Sequence, residues 1–323
     1  IEIDSLEILP TAVRKINEIK AIVVGCSLGK GCIYVLNNSL DPFYKKVFEN
    51  KKGGVTFVKG SFLMFNSNEL VIGAPSKLCL LSLIDNEIIL NEMPAEGIPV
   101  DAFLLNLKNK RILVSAEVST KYITTYELTY ADNPQIIYKF KIQANPAAIY
   151  PIWDNNEIKI IVADREGRVM LRKLNGEKIW TQHLFEPIMW RRLSIYDINN
   201  DKEKEIIIGC QNGSEDISRK EQSSLAIIDL KKGDIKFRVP LRGWIKDFKV
   251  IKLKKAAHLL VAAGKGIYLF LFNDKEYSEV HHFKFDKAVW SLDALEINNK
   301  LYMCAGFAEG EIGLGEITPE GTI

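Results

Sequence analysis

One phrase recurs seven times along the chain: a short apolar strand, a Gly or small residue, a tight polar turn, and a second apolar strand. The copies are 21–36 (AIVVGCSLGKGCIYVL), 69–83 (ELVIGAPSKLCLLSL), 111–128 (RILVSAEVSTKYITTYEL), 159–174 (KIIVADREGRVMLRKL), 205–230 (EIIIGCQNGSEDISRKEQSSLAIIDL), 258–272 (HLLVAAGKGIYLFLF) and 301–317 (LYMCAGFAEGEIGLGEI). A unit of this size cannot bury an apolar face alone, so successive units must stack on one another. Strands bounded by Gly, Asn, Asp or Pro, with little 3.6-residue periodicity, argue against a helical fold.

At about 45 residues per unit, 323 residues accommodate about seven units. The expected fold is all-β: a seven-bladed β-propeller of four-stranded antiparallel blades, forming one domain over 1–323. The clearest repeat is near the end. Strand b at 258–263, a Gly264-Lys265-Gly266 turn, strand c at 267–272 and strand d at 279–285 lead into strand a of the next blade at 289–297. A Gly-rich turn between apolar runs is hairpin punctuation. The C-terminal part supplies strands b and c of a last blade (301–305 and 311–317). Residues 2–8 (EIDSLEI) read as its strand d, and 12–19 as strand a of the first blade. Terminal strands sharing one blade would remove two open sheet edges.

The net charge of +2 gives no bulk argument for nucleic acid or membrane, and no window reaches the roughly 18 apolar residues of a membrane span. The five cysteines (26, 32, 79, 210, 304) lie in or beside apolar strands. They read as buried free thiols in a reducing, cytoplasmic compartment.

Residues 70–75 (LVIGAP) and 197–209 (DINNDKEKEIIIG) resemble the FG-GAP repeat of integrin α-subunit propellers. Residues 167–180 and 225–241 resemble quinoprotein-type repeats, and no Gly-His…Trp-Asp signature of WD repeats is present. The resemblance implies a propeller of mixed repeat flavour and names no substrate. It also implies a calcium loop. Asp197, Asn199, Asp201 and Glu205 have the alternate oxygen-ligand spacing that a hard cation requires, although Lys202 stands where such loops carry Gly. A plain polar a–b turn capped by Asp and Asn accounts for the same residues.

Gly25-Cys26-Ser27-Leu28-Gly29 matches the G-x-S-x-G elbow of hydrolases, but that device needs a helix after the Ser, and a strand-like run follows here. His281 and His282 are adjacent, so on a strand they face opposite ways. No catalytic cluster can be assembled.

The remaining constellation is basic and aromatic. In a propeller the d–a and b–c connections share one rim. Here the d–a junctions carry Arg14; Pro99; Pro146; Trp190, Arg191 and Arg192; Arg242, Trp244 and Lys246; and Lys287 and Trp290. Trp and Arg are enriched at binding hot spots. The long b–c loop at 212–223 opens on the same rim, although each Trp could instead pack between blades. The leading expectation is a non-enzymatic scaffold whose rim binds another protein or an acidic peptide. The alternatives are a hydrolase or lyase with a channel-mouth site, a calcium-supported adhesion propeller, and a nucleic-acid binder.

Overall fold

The computed structural model describes residues 8–16, 19–26, 32–36, 42–47, 56–60, 69–74, 76–84, 87–107, 110–128, 134–154, 157–211, 223–253, 256–297, 300–308 and 311–318. Every regular element among them is a strand, and each sheet runs in simple up-and-down order. The first sheet holds β1 (Ile8–Ile16), β2 (Ile19–Cys26), β3 (Cys32–Leu36) and β4 (Pro42–Val47). The second holds β5 (Phe57–Gly60), β6 (Glu69–Ala74), β7 (Lys77–Ile84) and β8 (Glu87–Pro94). The third holds β9 (Ile98–Leu107), β10 (Lys110–Val118), β11 (Tyr122–Leu128) and β12 (Pro134–Lys141). The fourth holds β13 (Pro146–Asp154), β14 (Glu157–Asp164), β15 (Arg168–Lys173) and β16 (Lys178–His183). The fifth holds β17 (Ile188–Tyr196), β18 (Glu205–Gln211), β19 (Ser223–Asp229) and β20 (Ile235–Leu241). The sixth holds β21 (Ile245–Leu253), β22 (Ala256–Ala263), β23 (Gly266–Phe272) and β24 (Tyr277–Lys284). The last, of three strands, holds β25 (Val289–Ile297), β26 (Lys300–Phe307) and β27 (Ile312–Ile317).

The burial pattern explains why the second strands read as unbroken apolar runs. In β18, Ile206, Ile208 and Cys210 pack toward the fourth sheet, while Ile207 packs toward the sixth. In β22, Leu259, Val261 and Ala263 face the fifth sheet, and Leu260 and Ala262 face the last. Successive side chains alternate faces, and both faces are covered, so both sets must be apolar. The outermost strands β12, β16 and β24 are largely exposed and carry the charges.

The first strand of each sheet lies against the first strand of the next, from β1 through β5, β9, β13, β17 and β21 to β25, and β25 also contacts β1. One expectation needs correction here. The first strand begins at Ile8 and ends at Ile16, rather than spanning 12–19, so Ile8 belongs to the first sheet. Of residues 2–8, expected as a fourth strand for the last sheet, 2–7 lie outside the described residues. So do residues 27–29 of the G-x-S-x-G match, within the stretch 27–31 that β2 and β3 flank as an antiparallel pair with Cys26 opposite Cys32. Cys79, Cys210 and Cys304 are buried thiols outside any disulfide, and burial pushes the Cys210 thiol up to about 12.

Candidate protein-docking rim

The two kinds of connection expected on one rim do meet. The Gly264 N–H in the β22–β23 turn donates to the Trp244 carbonyl, and the Val289 N–H donates to the Gly264 carbonyl. Similar bonds tie Arg165 to Asn145, Gln211 to Pro187 and Ala308 to Ala288. Each joins the end of a second strand, or the turn after it, to the link entering a first strand.

Most first strands are irregular just inside this rim. Pairing skips Pro10 in β1, Val100 in β9, Ala147 in β13, Lys246 in β21 and Trp290 in β25. In β17 the break is wider: Ile188 pairs with Cys210 and Leu193 with Ile208. A bulge adds a residue, bends the strand and re-aims the side chain. In the sixth and last sheets it brings two expected partner-binding residues together. The Lys246 ammonium lies 3.7 Å from the Trp290 ring centre and 5.3 Å from that of Trp244. A cation shared by two indole faces at a partly exposed site is held by about 1–2 kcal/mol. Trp244 is 46% exposed, and Arg242, two residues before it, is also exposed. The positive charge of Arg242 reaches Tyr268 and His282, which stack on each other at 4.0 Å.

Glycines make this corner possible. Gly243 has φ +82°, and a Cβ there would lie 2.7 Å from the Gly264 Cα. The Ser223 hydroxyl fixes the same link by donating to the Gly243 carbonyl at 2.7 Å.

The other expected partner-binding residues are placed differently. Arg192 is a correction: it is 7% exposed, with its guanidinium 3.3 Å from the Asp247 carboxylate. Burial lowers its pKa, while Asp247 and Asp101 oppose that shift. The residue points inward because Gly209 on β18 leaves room for it; a Cβ on Gly209 would sit 2.9 Å from the Arg192 Cβ. Lys287 forms an ion pair with Glu311. Only Arg242, Trp244 and Lys287 lie in connecting links. Arg14, Trp190, Arg191, Arg192, Lys246 and Trp290 lie within first strands. Of Arg14, Trp190 and Arg191 the backbone alone is described, and the long loop at 212–222 lies outside the described residues.

Sequence reading missed the carboxylates beneath the rim. Asp101 and Asp247 each follow the bulge of their strand, and each bonds to the next sheet. The Ile149 N–H donates to Asp101 Oδ2 at 2.9 Å, and the Leu292 N–H donates to Asp247 Oδ2 at 3.0 Å. Asp293 takes up the Lys249 ammonium at 2.7 Å, which raises the Lys249 pKa. The available signal was an Asp inside an otherwise apolar first strand: Val100-Asp101-Ala102, and Asp247 before Phe248.

Asp197, Asn199 and Asp201 sit in the β17–β18 turn, at the opposite end of the sheet, and Glu205 opens β18. A lysine ammonium stands among the carboxylates there. Lys236 Nζ lies 2.6 Å from Glu205, 3.6 Å from Asp201 and 3.9 Å from Asp229. Burial works against that ammonium, but the carboxylates outweigh it and raise its pKa. The Lys202 N–H donates to Asp197, the Glu203 N–H to Asp201, and the Asn199 amide to both Asp201 and Asp274. Asn200 and Lys202 have φ of 62° and 71°, so the turn closes on itself in the left-handed region. Asp201 is held below its ordinary pKa by Asn199, and Glu205, 1% exposed, is raised by burial.

No family model matches the chain, and no curated protein matches it. Solved structures do. Two are crystal structures of BBS1N in complex with ARL6DN, one soaked with mercury and one with lead. Their TM-scores are 0.66 and 0.69, each at 12% identity over 96% of this chain and 92% of that chain. The shared feature is the fold. It is an all-β propeller of small antiparallel sheets. Within this propeller the Trp244–Lys246–Trp290 cluster and Arg242 present apolar area and positive charge at one rim. That surface can receive a carboxylate beside an apolar side chain.

Proposed function

We propose that this propeller is a non-enzymatic protein-interaction scaffold. The rim carrying the d–a links and b–c turns receives an acidic segment of a partner protein. The observation that carries this reading is the lysine held between two indoles on an exposed corner, with Arg242 alongside. Aromatic anchors beside cations are the residue types that dominate binding energy. BBS1N, similar in fold, was crystallised in complex with ARL6DN. Contact of β25 with β1 supports a ring of seven blades. Buried thiols outside any disulfide suit a reducing, cytoplasmic setting.

Fluorescence anisotropy tests the rim, using a fluorescein-labelled Glu/Phe hexapeptide, its Lys/Phe counterpart and an oligothymidylate. The acidic peptide is expected to bind. The double charge reversal Arg242→Glu, Lys246→Glu should weaken it by about tenfold or more, because each rim contact contributes up to about 1 kcal/mol and the reversal adds repulsion. Unchanged binding in that variant would refute the proposal. Tight, steeply salt-dependent binding of the oligothymidylate alone would favour a nucleic-acid role instead.

We further propose that Lys236 fills the role that the FG-GAP resemblance assigns to calcium. Millimolar calcium is then expected to leave the melting temperature of the native protein unchanged. Lys236→Met should cost about 2 kcal/mol at neutral pH, since it strips a buried carboxylate of its cation. Glu205 binds its proton more tightly folded than unfolded, so its ionisation penalises the fold as pH rises through its raised pKa. In the variant the pKa rises further, and the deficit should shrink as pH falls through it. Chemical denaturation at several pH values reads this directly. A deficit that is independent of pH would contradict it.

A further inference from the structure

A second recess lies on the opposite rim, between the third and fourth sheets, and is independent of the rim proposed above. It has a volume of about 350 Å³, the size of a site that takes one or two side chains. Leu107, Ile158 and Leu174 form its floor, at the edge of the apolar cluster joining the two sheets. Tyr138 from β12 and Trp153 from β13 flank it, and both are large apolar residues left open to water, at 43% and 39% exposure. Buried, each would contribute about 2 kcal/mol that it does not contribute here. Exposed aromatics around a preformed apolar recess mark interaction sites.

The charges around the recess are unequal. Lys173 is bonded to Glu177 at 2.8 Å, and Lys159 to Asp154 at 2.7 Å. Glu157, in the lining, has no hydrogen bond or ion pair among the described residues, although its charge reaches Lys173. The charge left over is one carboxylate beside two aromatic faces. We propose that this recess docks a segment of a partner protein that inserts an apolar or aromatic side chain and sets a neighbouring lysine or arginine against Glu157. The partner chemistry is thus opposite in charge to that of the first rim. One ring can then hold two different chains on its two ends.

Three capped peptides test it: acetyl-Lys-Phe-Lys-amide, acetyl-Glu-Phe-Glu-amide and acetyl-Lys-Ala-Lys-amide. The readout is the Trp153 indole N–H signal in a ¹⁵N-labelled full chain, assigned with Trp153→Phe. Lys-Phe-Lys is expected to shift that signal and to leave those of Trp244 and Trp290 in place. Glu-Phe-Glu should bind about threefold more weakly or worse, the worth of an exposed ion pair. Lys-Ala-Lys should bind about tenfold more weakly, for want of its anchor. In Glu157→Gln, an exposed substitution with no bond to break, the Lys-Phe-Lys advantage over Glu-Phe-Glu should vanish. The proposal is overturned if Lys-Phe-Lys leaves Trp153 unmoved at several millimolar. It is equally overturned if the two Phe peptides bind the native chain alike, or if Glu157→Gln preserves their difference.

Discussion

Asp247→Ala is expected to remove about 3–5 kcal/mol of folding stability, the range for stripping one partner from a buried ion pair. Three sheets meet at this carboxylate. It faces the Arg192 guanidinium of β17, caps the Phe248 N–H on its own strand and accepts the Leu292 N–H of β25. Alanine would leave a cation that is 7% exposed without its nearest counter-charge and leave backbone N–H groups without an acceptor. Equilibrium denaturation measures the loss. Arg192→Met should cost less, since it removes the buried charge itself. The double variant should cost less than the sum of the two, because the residues are coupled. Strict additivity would mean that the pair does not act as a unit.

Gly243→Ala is expected to cost about 2–3 kcal/mol, combining a positive φ that side chains disfavour with backbone contact. The new methyl group would press on the Gly264 Cα at 2.7 Å, where no flexible side chain can yield. The link carrying Arg242 and Trp244 would have to lift off the β22–β23 turn. The variant should therefore also lose affinity for the acidic peptide, even where it remains folded. Wild-type affinity in a destabilised variant would show that the shape of this link is irrelevant to docking.

The blade architecture was legible because it rests on local rules. Apolar runs such as 206–208 and 259–263 are buried on both faces, and Gly-Lys-Gly closes a hairpin wherever it falls. The first-strand bulges were not legible, because an extra residue at Lys246 or Trp290 leaves no trace in composition; only pairing register reveals it. For the same reason Arg192 looked like a rim cation. Its neighbours in sequence are Arg191 and Trp190, while its partner Asp247 is 55 positions away on another sheet. Trp244, Lys246 and Trp290 were singled out individually, but their stacking depends on how two sheets abut. The Asp197–Glu205 loop shows the converse. Its spacing suits both a metal loop and a capped polar turn, and the lysine among its carboxylates arrives from β20, on another part of the chain.

The most direct measurement follows the indole N–H signals of Trp153, Trp244 and Trp290 while the acidic Glu/Phe hexapeptide is titrated into the ¹⁵N-labelled chain. Docking at the basic rim predicts that Trp244 and Trp290 shift together on one binding curve, that Lys246→Glu abolishes the shift, and that Trp153 stays still. Movement of Trp153 with Trp244 and Trp290 fixed would contradict the account.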